Sequence, residues 1–295
     1  MQHKEPKILI IGLGQIGYHN AEFLTHLGLE VDGFDLDNKA IQRARAAGII
    51  QREAKNFNGY DYYLICVSTH NPNNLAEPNL DGLFQTTERL AQEGRDGGLV
   101  SIESTIIKGT SKQVNNILDH RLHVAHVPHR FYAEDKKEHG VRQLRVLSGC
   151  HDCCILEALN FYARILRIPV HTVESVEIAE LSKIIENSFR FLEIAFAEEL
   201  KIFCDNEALD FEELRQAINS KWNTKILEAR DGIGGHCLPK DTKMFLNLEK
   251  NIVPSSILAA AIQLDEIYRR NEAEKESFQV IFPDVQIYQK QSFRR

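Results

Sequence analysis

The sequence lacks the features that mark membrane-spanning or polyanion-binding proteins. No apolar run approaches the roughly 18 residues that a membrane-spanning helix needs. Basic residues are not in excess, since 35 Lys and Arg face 42 Asp and Glu, giving a formal net charge of −7. A general nucleic-acid or anionic-membrane binder is expected to carry a basic face, so this balance predicts neither kind of partner.

Cysteine is too sparse for a disulfide framework, because six irregularly spaced residues are distributed over 295 positions. Residues 1–6 lead into an apolar run without the layout of a signal peptide. We therefore expect a cytoplasmic protein with reduced cysteines. Residues 150–154 are dense in potential metal ligands, but structural zinc usually needs a second ligand pair at a distance. No such pair is evident, and His123 and His126 are interpreted as packing or surface residues, so we predict no metal site.

The remaining composition is that of a folded protein of about two domains. Hydrophobic residues make up 43% of the chain and charged residues 26%, which is ordinary for a globular protein. A length of 295 residues corresponds to two domains at about 150 residues each.

The first part of the chain alternates between strand and helix patterns. Such alternation predicts βαβ units and a mostly parallel, doubly wound α/β sheet. Strands are expected at 7–11, 29–34, 61–67, 99–103, 122–127, 144–148 and 170–173, and helices at 16–27, 39–47, 81–92, 110–118 and 152–166.

The pattern becomes helical near residue 175. A long helix is expected over 174–208, with an apolar stripe at Ile178, Leu181, Ile185, Phe189, Leu192 and Phe196. Further helices are expected over 210–217 and 257–268, the first with Asp210 as its N-cap. Phe189 and Trp222 are interpreted as core residues. The predicted domains are a Rossmann-like domain over 1–174, a helical domain over 175–275 and a tail of uncertain structure over 276–295.

A glycine-rich turn between the first strand and the first helix predicts a dinucleotide site. Gly12 permits the tight turn, Gly14 lets a pyrophosphate approach the backbone, and Gly17 lets the helix pack on the strand. Gln15 and Ile16 open the helix, whose N-terminus offers N–H groups to phosphates. Asp35 ends the second strand, where a carboxylate accepts from both adenine-ribose hydroxyls and repels a 2′-phosphate. This arrangement favours NAD over NADP.

Two further motifs carry residues suited to chemistry. Cys237 follows the glycines Gly234 and Gly235 and precedes Lys240 and Asp241. A thiol beside a glycine turn and a cation is typical of a reactive cysteine, and equally of a buried cysteine at a structural turn. Lys183 and Asn187 lie four residues apart on the long helix and share a face. The two side chains on that face either contact a substrate or belong to an ordinary solvent-exposed helix surface.

In combination and in this order, the motifs resemble those of the UDP-glucose/GDP-mannose dehydrogenase family. The resemblance extends from about Lys7 to Asn271. It rests on the glycine turn, on Cys66-Val67-Ser68-Thr69 with Pro78-Asn79-Leu80-Asp81, on Glu103-Ser104-Thr105-Ile106-Ile107-Lys108-Gly109-Thr110, on Glu180-Leu181-Ser182-Lys183 through Asn187, and on Gly234-Gly235-His236-Cys237-Leu238-Pro239-Lys240-Asp241.

The resemblance implies oxidation of a nucleotide-sugar C6 alcohol to a carboxylate with two NAD⁺. It implies that Cys237 forms a thiohemiacetal and then a thioester, which water cleaves, and that Lys183 stabilises the oxyanion. It further implies Asp241 with a water as acid and base, Asn187 as the residue that holds the reacting oxygen, and Thr105 near the nicotinamide. The implied cofactor site includes Val67, Ser68, Thr69 and Thr105, and the implied substrate site includes Lys183, Asn187, Gly234, Gly235 and Lys240. Dimerisation through residues 257–270 is also implied.

Two departures from the family pattern bear on function. His129 stands where the family has a glutamate that assists thioester hydrolysis; a histidine is a base near neutral pH but supplies no negative charge. The family's third domain, which covers the nucleotide, has no counterpart in these 295 residues, so we expect weak nucleotide-sugar affinity or a smaller sugar-derived substrate. The alternatives are a two-electron dehydrogenase of a small β-hydroxyacid, at about this chain length, and a non-catalytic NAD-binding paralogue.

Overall fold

The computed structural model describes residues 5–132, 135–253 and 255–281. The chain divides into two compact units. Unit 1 comprises the described residues up to Asn74 together with Pro78–Lys183, and unit 2 comprises Leu75–Glu77 and the described residues from Ile184 onward. Residues 282–295 of the predicted tail lie outside the described part of the chain. In the described part, no helix is both long and apolar enough to cross a membrane.

Unit 1 contains a seven-stranded sheet in the order β2-β1-β3-β4-β5-β6-β7. The predicted strands are confirmed, with their ends moved by a few residues. Their observed bounds are β1 Lys7–Ile11, β2 Glu30–Phe34, β3 Tyr62–Ile65, β4 Leu99–Ile102, β5 His123–His126, β6 Arg145–Gly149 and β7 Val170–Thr172.

The direction of β6 is the feature of the sheet that the strand pattern does not predict. Neighbouring strands are parallel except for β5 and β6, which pair antiparallel through Ala125 with Gly149 and His126 with Ser148. The connection between them holds the four-residue helix α5, Lys136–His139, which is far shorter than the crossover helix that a parallel return requires. The chain therefore reverses direction at β6.

Helices cover both faces of this sheet. They are α1 Gln15–His26, α2 Asn38–Ala46, α3 Asp81–Glu93, α4 Thr110–Ile117 and α6 Asp152–Leu159, with a π-helical continuation over Asn160–Ile165 where α-helix is predicted. Alternate residues of β1 enter opposite cores, with Ile8 and Ile10 in one and Leu9 and Ile11 in the other. This two-sided burial confirms the Rossmann-like, doubly wound fold.

Unit 2 is helical. The long helix α7, Val176–Glu207, runs from unit 1 into unit 2 and is followed by α8 Phe211–Asn219, α9 Cys237–Glu249 and α10 Ile257–Ile281. The predicted N-cap of α8 is confirmed, because Asp210 accepts a hydrogen bond from the N–H of Glu213. The motif that follows Gly234 and Gly235 is helical, because α9 begins at Cys237. Pro239 is compatible with α9 because it lies in the first turn, where no N–H is needed.

The predicted apolar stripe of α7 is largely exposed. The interpretation of Phe189, which lies in that stripe, and of Trp222, which lies between α8 and α9, as core residues is wrong. Phe189 is 61% exposed and Trp222 is 93% exposed. α7 instead packs Phe191 and Ala195 against Ile233 and Ala261 in the core of unit 2. A different face of the same helix is therefore buried, and periodicity alone does not distinguish the two faces.

Candidate active site

The glycine turn has the geometry that a dinucleotide site needs. Gly12 has φ +92°, and a Cβ there would lie 2.7 Å from the carbonyl oxygen of Cys66. A Cβ at Gly17 would lie 1.7 Å from the carbonyl oxygen of Gly12, so α1 packs directly on the turn. A Cβ at Gly14 would meet no atom within 4 Å among the described residues. The backbone is therefore tightly packed at Gly12 and Gly17, whereas there is free space beside Gly14.

The open side of the turn adjoins the N-terminus of α1. Gly14 is the N-cap, no side chain caps it, and the first turn of the helix, which opens with Gln15 and Ile16, contains no acidic residue. The first N–H groups of a helix have no partner within it, and its dipole favours negative charge at this end. These residues therefore fit a pyrophosphate.

Asp35 follows β2 and is fixed at the rim of the turn. Its Oδ2 accepts from the N–H of Leu13 at 2.6 Å, and its Oδ1 accepts from the N–H of Asp37 at 2.8 Å. An ionised carboxylate has about four lone-pair positions, so both oxygens keep capacity for ribose hydroxyls. Together with the glycine turn, Asp35 makes this site fit NAD.

Two predicted cofactor segments meet at the carboxyl edge of the sheet. Val67, Ser68 and Thr69 follow β3, and Thr105 follows β4. Thr69 donates to the carbonyl of Thr105 at 2.7 Å, and Ser104 donates to the carbonyl of Val67 at 2.7 Å. Because the carboxyl ends of neighbouring parallel strands share one edge, these segments join the site of the glycine turn.

His129 lies inside a buried polar cluster that sequence analysis missed. Arg145 donates to Glu103 at 2.8 Å, Asn20 donates to the same carboxylate at 2.7 Å, and Tyr162 donates to it at 2.6 Å. The Nε2 atom of His129 lies 2.8 Å from Nη2 of Arg145. A charged residue within an otherwise uncharged, buried strand, as Arg145 is in β6, was the available signal for such a cluster.

The surroundings of His129 keep its imidazole neutral. Its side chain is 3% exposed. Burial lowers the pKa of His129 well below its usual value, and the positive charges of Arg145 and Lys183 lower this pKa further. His129 therefore joins the cluster without adding a charge beside Arg145. Its role in thioester hydrolysis stays a prediction.

The lysine–asparagine helix is anchored at its start. Glu180 of α7 accepts from the N–H groups of Gly109 and Ser111, at 2.6 and 2.7 Å, and so caps the N-terminus of α4. Lys183 lies one turn further along, at the end of unit 1, and Asn187 lies one turn after it, in unit 2. The motif from Glu180 to Asn187 thus includes a residue, Glu180, that holds α7 against α4. Sequence analysis assigned no role to this residue.

Within unit 2, three predicted site residues form one buried cluster. The side-chain nitrogen of Asn187 donates to Oδ2 of Asp241 at 2.5 Å, and the ammonium of Lys240 donates to Oδ1 at 2.5 Å. Asp241 is 1% exposed and Lys240 is 6% exposed. Cys237 is the first residue of the same helix, is exposed, and lies four residues before Asp241, which places the two on one face. An accessible thiol therefore lies one helical turn from a fixed carboxylate.

The glycine segment before Cys237 is held by hydrogen bonds to α10. Sequence analysis predicted a helix there but not these hydrogen bonds. The N–H of Ile233 donates to Asp265 at 2.7 Å, and Arg269 donates to the carbonyl of Ile233. Gly234 and Gly235 follow as exposed residues, with no atom within 4 Å of a Cβ at either position among the described residues. The available sequence signal for a polar contact on this face of α10 was the opposite charge of Asp265 and Arg269. Residues at positions i and i+4 lie on one face of a helix and pair when their charges are opposite.

Residues 177–266 match the profile of the UDP-glucose/GDP-mannose dehydrogenase family, central domain. The chain belongs to the UDP-glucose/GDP-mannose dehydrogenase family. It is 30% identical over 286 residues to UDP-N-acetyl-D-glucosamine 6-dehydrogenase of Salmonella typhi, covering 86% of this chain and 66% of that protein. It is 26% identical over 281 residues to UDP-N-acetyl-D-mannosamine dehydrogenase of Methanococcus maripaludis, covering 88% of this chain.

The fold also matches that of a solved UDP-sugar dehydrogenase. UDP-D-ManNAc dehydrogenase from Pyrococcus horikoshii superposes with a TM-score of 0.77 at 23% identity, covering 95% of this chain and 72% of that one. The chain spans about 65% of the length of the curated relatives. NAD is the cofactor of the UDP-glucose/GDP-mannose dehydrogenase family, in agreement with the glycine turn and Asp35.

Proposed function

We propose that the chain carries the cofactor site and the catalytic thiol of a nucleotide-sugar 6-dehydrogenase, which oxidises a C6 alcohol to the uronate. The observation that carries this proposal is the exposed thiol of Cys237, one helical turn from the hydrogen-bonded group of Asn187, Lys240 and Asp241. Family membership supports the same reaction.

Each proposed catalytic residue has a role that follows from the chemistry of its side chain. NAD⁺, when bound at the glycine turn, supplies the hydride acceptor for each of the two oxidations. The thiolate of Cys237 forms a carbon–sulfur bond to the aldehyde carbon. That aldehyde forms when the C6 alcohol loses its proton and a first hydride, and addition of the thiolate turns its carbonyl oxygen into an oxyanion. Loss of a second hydride from the same carbon leaves a thioester on Cys237, and water then releases the carboxylate and restores the thiol. The Lys183 ammonium stabilises the oxyanion, Asp241 with a water moves the proton, and Asn187 orients the reacting oxygen.

The substrate we propose is a nucleoside-diphosphate hexose, with N-acetylhexosamines tested first because the relatives are named for them. The test incubates the purified chain with NAD⁺ and a panel of UDP-N-acetylmannosamine, UDP-N-acetylglucosamine, UDP-glucose and GDP-mannose. We expect two NADH per sugar oxidised. One NADH per substrate would instead support the two-electron dehydrogenase, and NAD binding without any turnover would support the non-catalytic paralogue.

The role of the thiol is tested with a matched pair of cysteine variants. Cys237→Ala should abolish formation of the uronate while NAD binding is retained. Cys150→Ser removes a half-buried thiol in unit 1 and should turn over like the unchanged chain. Full turnover by Cys237→Ala would remove the thiol from the mechanism.

We also propose that the chain forms a homodimer. The predicted surface, residues 257–270, buries Leu258, Ala261 and Tyr268 within unit 2 but leaves Ile257 67% exposed. A larger set of apolar side chains lies exposed on the unit 2 part of α7, at Ile185, Phe189, Phe196 and Phe203. Exposed apolar stripes of this kind favour self-association. Sedimentation of Ile257→Glu and of Phe189→Glu/Phe196→Glu will show which helix carries the contact, and a monomeric unchanged chain would refute the dimer.

A further inference from the structure

The reversal of the chain at β6 brings His123 close to the adjacent pair Cys153 and Cys154, which lie far from it in sequence. His123 is the first residue of β5, and β6 runs antiparallel to β5, so the carboxyl end of β6 lies beside the amino end of β5. Helix α6 begins three residues after β6 and carries Cys153 and Cys154 in its first turn. One imidazole nitrogen and the two sulfurs all lie within 4.8 Å of one another.

We propose that His123, Cys153 and Cys154 bind one zinc ion. Imidazole nitrogen and thiolate sulfur are the ligands that zinc prefers, at about 2.0–2.1 Å and about 2.3 Å. A zinc ion with tetrahedral coordination and these bond lengths would hold the nitrogen and the two sulfurs roughly 3.5–3.8 Å apart. The observed separations exceed that range by about 1 Å at most, a distance that rotation of the side chains closes.

The burial of the three residues indicates how the ion would be held. Cys154 is 2% exposed, His123 is partly buried and Cys153 is exposed. The ion would therefore rest on the protein with one side facing solvent, which leaves its fourth position to water. Thiols must lose their protons to bind zinc, so two protons pass to solvent as the two zinc–sulfur bonds form.

Within unit 1, the site lies away from the proposed cofactor site. His123 is at the amino end of its strand, whereas Thr69 and Thr105 follow the carboxyl ends of β3 and β4. In a parallel sheet these are opposite edges. Zinc here would tie β5 to α6 and raise the stability of unit 1, because an ion that binds only the folded state favours that state. This proposal does not depend on the dehydrogenase activity.

Zinc binding is measured on the full chain after treatment with a chelator and under reducing conditions. Zn²⁺ is titrated against a chromophoric zinc chelator, and Co²⁺ serves as a spectroscopic probe of thiolate ligation. We expect one ion per chain, a thiolate-to-cobalt charge-transfer band, and a melting temperature that rises with zinc concentration. His123→Ala, Cys153→Ser and Cys154→Ser should each weaken binding by at least about 100-fold, since even loss of a partner outside the ligand set costs 10- to 100-fold.

Two cysteine controls separate this site from other thiols. Cys150→Ser removes a neighbouring thiol outside the triad, and Cys237→Ser removes the proposed catalytic thiol; both should bind zinc like the unchanged chain. Cys153 is exposed, so its replacement by serine should leave the fold intact, and circular dichroism will verify this. Absence of binding at micromolar free zinc, binding unaffected by Cys153→Ser or His123→Ala, or binding lost in Cys237→Ser would each overturn the proposal.

Discussion

Asn187 of α7 and Asp241 of α9 are joined by a hydrogen bond of 2.5 Å between the side-chain amide and a carboxylate oxygen. The other carboxylate oxygen accepts from the ammonium of Lys240, also at 2.5 Å. Both charged groups are almost fully buried, so the carboxylate and the ammonium each depend on the other for compensation. This contact fixes the start of α9 against α7 within unit 2, and with it the position of Cys237.

Replacing Asp241 by leucine should destabilise the chain by about 3–5 kcal/mol, because the ammonium of Lys240 is left buried without a carboxylate partner. Adding Lys240→Met should recover most of that loss, since an apolar pair of similar volume replaces the two charges. Urea unfolding of the single and double variants measures the free energies of unfolding. Equal destabilisation in the single and double variants would show that the two charges are not coupled.

The two glycines at the start of α1 should respond differently to alanine. Gly14→Ala should leave stability within about 0.5 kcal/mol, because a Cβ there meets nothing, but it should weaken NAD binding by at least about 10-fold, because the Cβ occupies the space that the pyrophosphate approaches. Gly17→Ala should unfold or strongly destabilise unit 1, since its Cβ would overlap the carbonyl oxygen of Gly12. Thermal melting and NAD titration measure both effects. Unchanged NAD affinity in Gly14→Ala would place the cofactor elsewhere.

Replacing Asp35 by alanine should lower NAD affinity about 10- to 100-fold, because hydrogen bonds to a charged acceptor contribute about 1.5–3 kcal/mol. The preference for NAD over NADP should fall as well, because the repulsion of a 2′-phosphate is removed. Asp37→Asn is the matched control, since Asp37 is a neighbouring acidic residue whose side chain caps α2. Calorimetric titration with both nucleotides distinguishes the variants, and equal losses at the two positions would contradict the assignment.

Glu198 of α7 should make the stability of the chain decline with rising pH. Both of its carboxyl oxygens are buried without a hydrogen-bond partner among the described residues. Burial, with a smaller contribution from the negative charge of Asp265 and against the opposing positive charge of Arg269, raises the pKa of Glu198 to about 8. An unfolded glutamate has a pKa of about 4.3. The folded state therefore holds a proton that the unfolded state releases between these values, and stability falls as pH rises from about 4.3 to about 8.

Glu198→Gln removes this titration and should flatten the dependence of the melting temperature on pH between pH 5 and about 9. The matched control is Glu199→Gln, because Glu199 is the exposed neighbour on the same helix. The control should retain the slope of the unchanged chain. A slope that is the same in all three proteins would show that Glu198 titrates normally.

The sequence alone was sufficient to predict those structural features that depend on short stretches of chain. The strand before Gly12 and the helix after Gly14 follow from an apolar run and a glycine turn, because the backbone there needs a positive φ and a close approach. Asp210 as a cap follows from the preference of an exposed N-terminus for a side-chain acceptor. The family resemblance likewise rests on local motifs, and family membership confirms it.

The tertiary structure decided which residues separated along the chain come together. The hydrogen bond from Arg145 to Glu103 joins residues 42 positions apart, and no local pattern encodes such a pairing. The direction of β6, and with it the meeting of His123 with Cys153, depends on how the chain returns to the sheet. The face of α7 that packs inward depends on Ile233 and Ala261, because helical periodicity defines a stripe but the partner surface determines whether that stripe is buried.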